Sequence, residues 1–219
     1  MAVRLPILAL RGARGRAGLF CALLLAGCAA VPPPRAEVLI RPAPQGLRGH
    51  QLVGETISTS LGGVATTVRW LSPRAATAYY ATRPGLTAPW PEEIWREAPP
   101  TLFLLRFRNQ TREEVQFDPA LALLVTQEGK RERPIPYEEL YMRLSGTEGD
   151  QARLRSLQAT LFSRFVVLQP GGQREGLLAF PVLDAKAKHL ILELGSFFVG
   201  GRIVPGHFEF QVLREPPKN

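Results

Sequence analysis

Along most of the chain, apolar and polar residues alternate with a period of two, the mark of strands that bury one face and wet the other. In the run Leu102 to Arg108, the side chains of Phe103, Leu105 and Phe107 share a face. In Leu190 to Leu194, Leu190, Leu192 and Leu194 face away from Glu193; in Phe208 to Val212, Phe208, Phe210 and Val212 face away from Glu209 and Gln211. Further strands are predicted over 53–59, 64–71, 115–117, 121–126, 165–168 and 177–181. Turn chemistry separates them, notably Gln127-Glu128-Gly129-Lys130 and Gln169-Pro170-Gly171-Gly172. In the second of these, Pro before Gly suits a tight turn with a positive φ. Many short strands so punctuated predict an all-β fold, an antiparallel β-sandwich rather than a parallel sheet.

The period shifts toward 3.6 in two places. Pro136 can sit in the first turn of a helix that carries Tyr137, Leu140, Tyr141 and Leu144 on one face. A second helix follows Thr147-Glu148-Gly149-Asp150, which has capping-box-like spacing, and aligns Leu154, Leu157 and Leu161. A short third turn is predicted at Pro91-Glu92-Glu93-Ile94-Trp95, since proline and acids favour helix starts. These two or three short peripheral helices are expected to pack against the sandwich.

The first 49 residues follow neither pattern. Arg4, Arg11, Arg14 and Arg16 precede an apolar run from Leu19 to Ala26, far shorter than the ~20 residues a membrane-crossing helix needs. The run ends in Leu25-Ala26-Gly27-Cys28, and basic leader, apolar stretch and small-residue site together make a secretion signal. The last four residues resemble the lipobox of bacterial lipoproteins. The resemblance implies that residues 1–27 are removed and that Cys28 carries a diacylglycerol, with two or three acyl chains giving a practically permanent anchor. In enterobacterial lipoproteins an Asp after the cysteine favours inner-membrane retention. Ala29 at that position implies an outer-membrane address facing the periplasm.

From Cys28 to Gly49 the chain is rich in proline and reads as a lipidated tether. As polyproline-like chain, roughly twenty residues could hold a domain up to about 60 Å from the membrane. The alternative is that Val38-Leu39-Ile40 packs as an edge strand. A single folded domain is expected over 50–219.

Without its 27-residue leader and that leader's four arginines, the 219-residue chain of net charge +8 becomes a 192-residue chain of charge +4. That modest, interspersed balance makes no nucleic-acid footprint. Of the two cysteines, Cys21 leaves with the leader. Only the lipidated Cys28 remains, which excludes intramolecular disulfides, thiolate catalysis and cysteine-held metals from the mature domain.

The order of elements over roughly residues 101 to 213 resembles the immunoglobulin-like sandwich domains of many bacterial lipoproteins, although the paired cysteines of antibody-type domains are lacking. This order runs from an apolar strand ending in Asn109, through strands flanking a Gly-containing hairpin, to a Pro-Gly-Gly turn and Gly176-Leu177-Leu178-Ala179-Phe180-Pro181. The resemblance implies binding or scaffolding.

No catalytic, metal or cofactor site is expected. His50 lies at the tether boundary. His189 and His207 introduce two strands, so they fall at opposite ends of a direct hairpin, or about 10 Å apart if a strand through Phe197–Val204 intervenes. Gly195-Ser196-Phe197-Phe198-Val199-Gly200-Gly201-Arg202 lacks the Lys and Ser/Thr of a phosphate loop and reads as a glycine-bent strand. Glu92-Glu93, Glu113-Glu114 and Glu138-Glu139 are adjacent pairs whose side chains diverge, as solvated charges do. Gly-x-Ser-x-Gly does not occur. Asn109-Gln110-Thr111 matches a glycosylation sequon and reads as a turn.

The one uneven feature is aromatic. Trp70, Trp90 and Trp95 fall close together with Tyr79, Tyr80, Pro73, Pro84, Pro89 and Pro91. They either plug one end of the sandwich or present a docking surface, and Trp90 and Trp95 are the candidate partner contacts. The expected function is therefore that of a non-enzymatic, membrane-anchored envelope lipoprotein that binds or scaffolds another envelope component, an envelope protein among them. The alternative is a periplasmic module holding a small or lipidic ligand in the sandwich or at its mouth.

Overall fold

In the computed structural model, residues 37–46, 49–91, 94–95, 99–195 and 197–215 are described. The leader and Cys28 lie outside them. The first described element is β1 (Glu37–Pro42), which pairs antiparallel with the last strand, placing Ile40 opposite Val212. A tether running to Gly49 is thereby corrected: the fold has begun by Glu37. Ile40 and Ala43 are buried, and Gln45 exchanges hydrogen bonds with the Glu209 backbone, donating at 2.8 Å and accepting at 3.1 Å. Prolines at 42 and 44 are compatible with this because β1 lies at a sheet edge, where a missing N–H leaves no partner bare.

The strand expected over 53–59 is instead a hairpin, β2 (Gln51–Val53) and β3 (Thr56–Leu61), with Gly54 at φ 59° in its turn. After β4 (Val64–Leu71) comes α1 (Pro73–Ala81), which the alternation did not reveal. Its start is nonetheless written locally, since the Ser72 side chain accepts from the Ala75 N–H at 3.1 Å and Pro73 occupies the first turn. A proline-rich excursion through Trp90 and Trp95 leads to β5 (Thr101–Asn109), β6 (Val115–Phe117), β7 (Ala122–Thr126) and β8 (Arg131–Glu132). In that excursion the Ile94 and Trp95 N–H groups both bond Pro91 O, one turn rather than a third helix; Glu92 and Glu93 lie outside the described residues.

The two predicted helices are α2 (Tyr137–Leu144) and α3 (Asp150–Thr160). Leu140, Leu144 and Leu157 are buried, whereas Tyr141 is exposed. No capping box forms at α3. Gly149 holds the cap position at φ 71°, while the Thr147 hydroxyl donates to Leu144 O at 2.6 Å and closes the turn between the helices. The chain then forms β9 (Val166–Leu168), β10 (Gln173–Phe180), β11 (His189–Leu194), the hairpin β12 (Phe197–Val199) and β13 (Arg202–Ile203), and β14 (His207–Glu215).

These strands make three antiparallel sheets, ordered β1-β14-β11-β7-β8, β10-β5-β4-β3-β2 and β13-β12-β6-β9. β5 and β10 lie in one large sheet and β7, β11 and β14 in the other, so the chain crosses between the sheets of an all-β sandwich. Their inner faces meet in one core, where the Phe103 and Phe210 rings stand 5.0 Å apart and Phe107 packs against Phe117 and Phe197 from the third sheet.

The second large sheet is buried on its outer face as well. Leu71, Leu102, Leu104, Leu177 and Ala179 point away from the sandwich core and are covered by Ala76 and Tyr80 of α1, Leu140 and Leu144 of α2, and Leu157 of α3. The reason is visible in the run Thr101-Leu102-Phe103-Leu104-Leu105: a strand wetted on one side alternates, whereas one covered on both sides is apolar throughout.

If β1 belongs to the core as its burial implies, Ile40→Ala should lower unfolding free energy by about 2–5 kcal/mol in urea titrations. A loss below about 1 kcal/mol would show β1 to be peripheral.

Candidate binding cleft

β4 ends, β5 begins, β10 ends and β1 begins at the same end of the sandwich, and a cleft of about 660 Å³ opens there. Its walls include Val38 and Ile40 of β1, Trp70 of β4, and Trp90 and Trp95 of the excursion. Prolines at 84, 89, 91, 99 and 100 keep that excursion out of the sheet and send it across the outer face. All three tryptophans of the chain thus line one cavity.

The candidate partner contacts are placed as follows. Trp95 is 6 % exposed and packs in the helix-covered core, and Trp90 is half-buried beside it, with ring centroids 5.9 Å apart. Arg143 of α2 stacks its guanidinium 4.9 Å from the Trp95 ring. Neither tryptophan is an isolated anchor in solvent; what they share is the cleft wall. Both indole N–H groups are buried and find no acceptor in hydrogen-bond geometry among the described residues, an uncommon state for a buried tryptophan. The Trp90 N–H does face the Tyr80 hydroxyl without reaching hydrogen-bond geometry. Burial pushes that hydroxyl up to about 12, against the opposing influence of Thr160, which it meets at 2.9 Å, and of Trp90. Tyr80 is a neutral structural group at physiological pH.

The charged side chains among the described lining residues are Arg74 and Arg153, both cationic. At the mouth, Val38 and Val182 are 37 % and 47 % exposed. An apolar floor, aromatic walls and a cationic rim can hold an apolar group and orient an acceptor, and the volume lies in the range of small-ligand sites.

The other candidate groups are dispersed. β11 and β14 pair directly, so His189 and His207 lie at opposite ends of the pair, and His189 Nε2 sits 3.3 Å from Glu209. His50 packs edge-on against Phe208 at 5.5 Å. No group of three metal-ligating side chains converges among the described residues. Gly200 and Gly201, at φ 56° and 76°, form the tip of the β12–β13 hairpin, a turn with two positive φ angles that suits glycine. Glu114 is held by Gln116 and Gln169, and Glu139 pairs with Arg143 at 2.6 Å. Asn109 is buried, its amide donating to Glu113 O at 2.7 Å and Leu168 O at 3.1 Å, so it serves the turn and is not open to modification.

One cluster escaped the sequence reading. Glu175 of β10 receives Arg83 at 2.6 Å, Tyr79 of α1 at 3.2 Å, and Arg106 of β5, while Arg83 stacks 3.5 Å over the Tyr79 ring. Partial burial pushes the Glu175 carboxyl up, but Arg106 and Arg83 together outweigh it and hold the group below the usual carboxylate range. The cluster fastens α1 to the sheet. Its members are scattered between 79 and 175, with no local signal to announce them.

No family model, curated protein or solved structure matches the chain.

Trp95→Ala should lower stability by about 3–5 kcal/mol, and Trp90→Ala by visibly less, in thermal or urea unfolding. Equal losses would contradict their different burial. For Glu175 the folded-state value is lowered. Its contribution is therefore present at neutral pH and disappears as pH falls through that lowered value. Glu175→Gln should cost about 1 kcal/mol or less per partly exposed pair at pH 7, and should flatten the acid side of the stability profile.

Proposed function

We propose that this protein is a non-enzymatic, lipid-anchored lipoprotein of the cell envelope, held through Cys28, whose sandwich binds another envelope component in the cleft at the β1 end. The observation that carries the reading is the gathering of Trp70 of β4 with Trp90 and Trp95 of the proline-rich excursion onto one apolar cavity wall. Aromatic side chains in a concave, partly desolvated setting are the groups that dominate recognition energy. The basic leader and Leu25-Ala26-Gly27-Cys28 support the anchor, and Ala29 supports an outer-membrane position facing the periplasm. A second reading, a module that holds a small or lipidic molecule, is favoured by the cavity's volume and cationic rim.

Cys28→Ser should abolish labelling by a palmitate analogue, and retained label would refute the anchor. A photo-crosslinking side chain at Val182, on the cleft mouth, should capture an envelope component in cells, whereas one at Ile203, exposed on the third sheet, should not. Capture from Ile203 with none from Val182 would place recognition elsewhere.

A further inference from the structure

We infer that the open edges of β9 and β10 form a strand-addition site for an extended segment of another protein, one that alternates apolar and acidic residues. The site shares no lining residue with the tryptophan cleft.

The backbone shows which groups are open. The Asn109 N–H donates to Gly172 O at 2.9 Å, and the register continues with Gln173 opposite Arg108. Bonded positions in an antiparallel ladder recur at every second residue. Arg174 and Gly176 therefore bond β5, while Gln173, Glu175, Leu177 and Ala179 turn their N–H and C=O groups to the outer side. Leu177 O does accept there from the Phe162 N–H at 2.9 Å, and Ala179 O from the Ile135 N–H at 2.7 Å. The outward groups of Gln173 and Glu175 have no partner among the described residues.

The same count applies to β9. The Gly200 N–H donates to Glu114 O at 2.9 Å, so Gln116 bonds β12 and leaves Val115 and Phe117 to bond β9. Val167, opposite Gln116, then turns its N–H and C=O away from the sheet. A cavity of about 760 Å³ is lined by both edges, residues 165–169 of one and 172–174 of the other, with Leu161 and Phe162. A strand that adds to such an edge gains main-chain hydrogen bonds, and its side chains set the specificity.

Two features say what that strand carries. Phe165 and Val167 are 54 % and 47 % exposed, a surface for apolar side chains to cover. On the same edges Arg164 and Arg174 are exposed and have no ion pair among the described residues, while Glu175 is held by Arg83 and Arg106. The one acid of the lining, Glu138, belongs to α2. Charge alone blunts an edge, but here it stands beside a Phe and a Val left half-exposed. A second copy of the chain fits poorly. Antiparallel pairing centred on the open segment would set Arg174 directly opposite Arg174, and like charges so placed destabilise.

The test follows amide hydrogen exchange by NMR in the full chain held in detergent micelles. The probes are two capped hexapeptides, one alternating valine with glutamate and one alternating valine with lysine. The glutamate peptide should slow exchange at Gln173 and Glu175 and leave Arg174 and Gly176, already bonded to β5, unchanged. It should bind about tenfold more tightly than the lysine peptide at low salt, a preference that added salt erodes. Arg164→Gln and Arg174→Gln should each weaken it about threefold, the worth of one exposed ion pair, without lowering the melting temperature. Gln173→Pro removes only an outward N–H and should abolish the protection at Glu175. If that variant misfolds, the double variant Arg164→Glu with Arg174→Glu decides, since it should reverse the preference toward the lysine peptide. Protection by neither peptide, equal binding of both, or uniform slowing along β10 would overturn the inference. So would a dimer of the peptide-free chain that Gln173→Pro dissociates, because the occupant would then be a second copy.

Discussion

Residues 102–105 put apolar side chains on both faces of β5, and a strand in that state cannot be left against water on either side. One face demands a second sheet, supplied by β7, β11 and β14; the other demands a cover, supplied by the three helices and the proline-rich excursion. The crossings of the chain between sheets and the position of every helix follow from this double burial. Each apolar side chain removed from water contributes roughly 1.5–3 kcal/mol, so the two faces of β5 and its neighbours dominate what holds the fold.

The cleft is a by-product of the same constraint. Where β4, β5 and β10 reach their common end, the inner and outer cores both have to terminate, and Trp70 closes the first while Trp90 and Trp95 close the second. Large aromatic rings cover such ends efficiently but leave shape mismatches between them. A cavity walled by tryptophan is what remains.

How much of this was legible in the sequence follows from which signals are local. Strand identity was legible, because period-two alternation is written in consecutive residues, and so was the Pro170-Gly171 turn, with Gly171 at φ 76°. The second burial layer was visible only in the unbroken apolar run at 102–105. β1 was obscured because prolines around Val38-Leu39-Ile40 suggest an unpaired chain, when an edge position tolerates them. α1 was hidden by the short, weakly amphipathic Ala-Thr-Ala-Tyr-Tyr stretch, although its Ser72-Pro73 start could have been read. The cleft was half legible: the aromatic clustering showed, but the contributions of Val38, Val182, Arg74 and Arg153 depend on tertiary placement, as does the Glu175 cluster.

The pairing of β1 with β14 joins the first strand of the fold to the last. During synthesis β1 emerges long before any partner exists for it, and the ladder from Glu37 to Pro42 has to wait until Phe210 to Glu215 have been made. Contacts so distant along the chain form slowly, because the whole intervening loop must close first. An edge that closes only when both distant strands are present is the last part of its sheet able to form, and the first to be lost when either strand is trimmed.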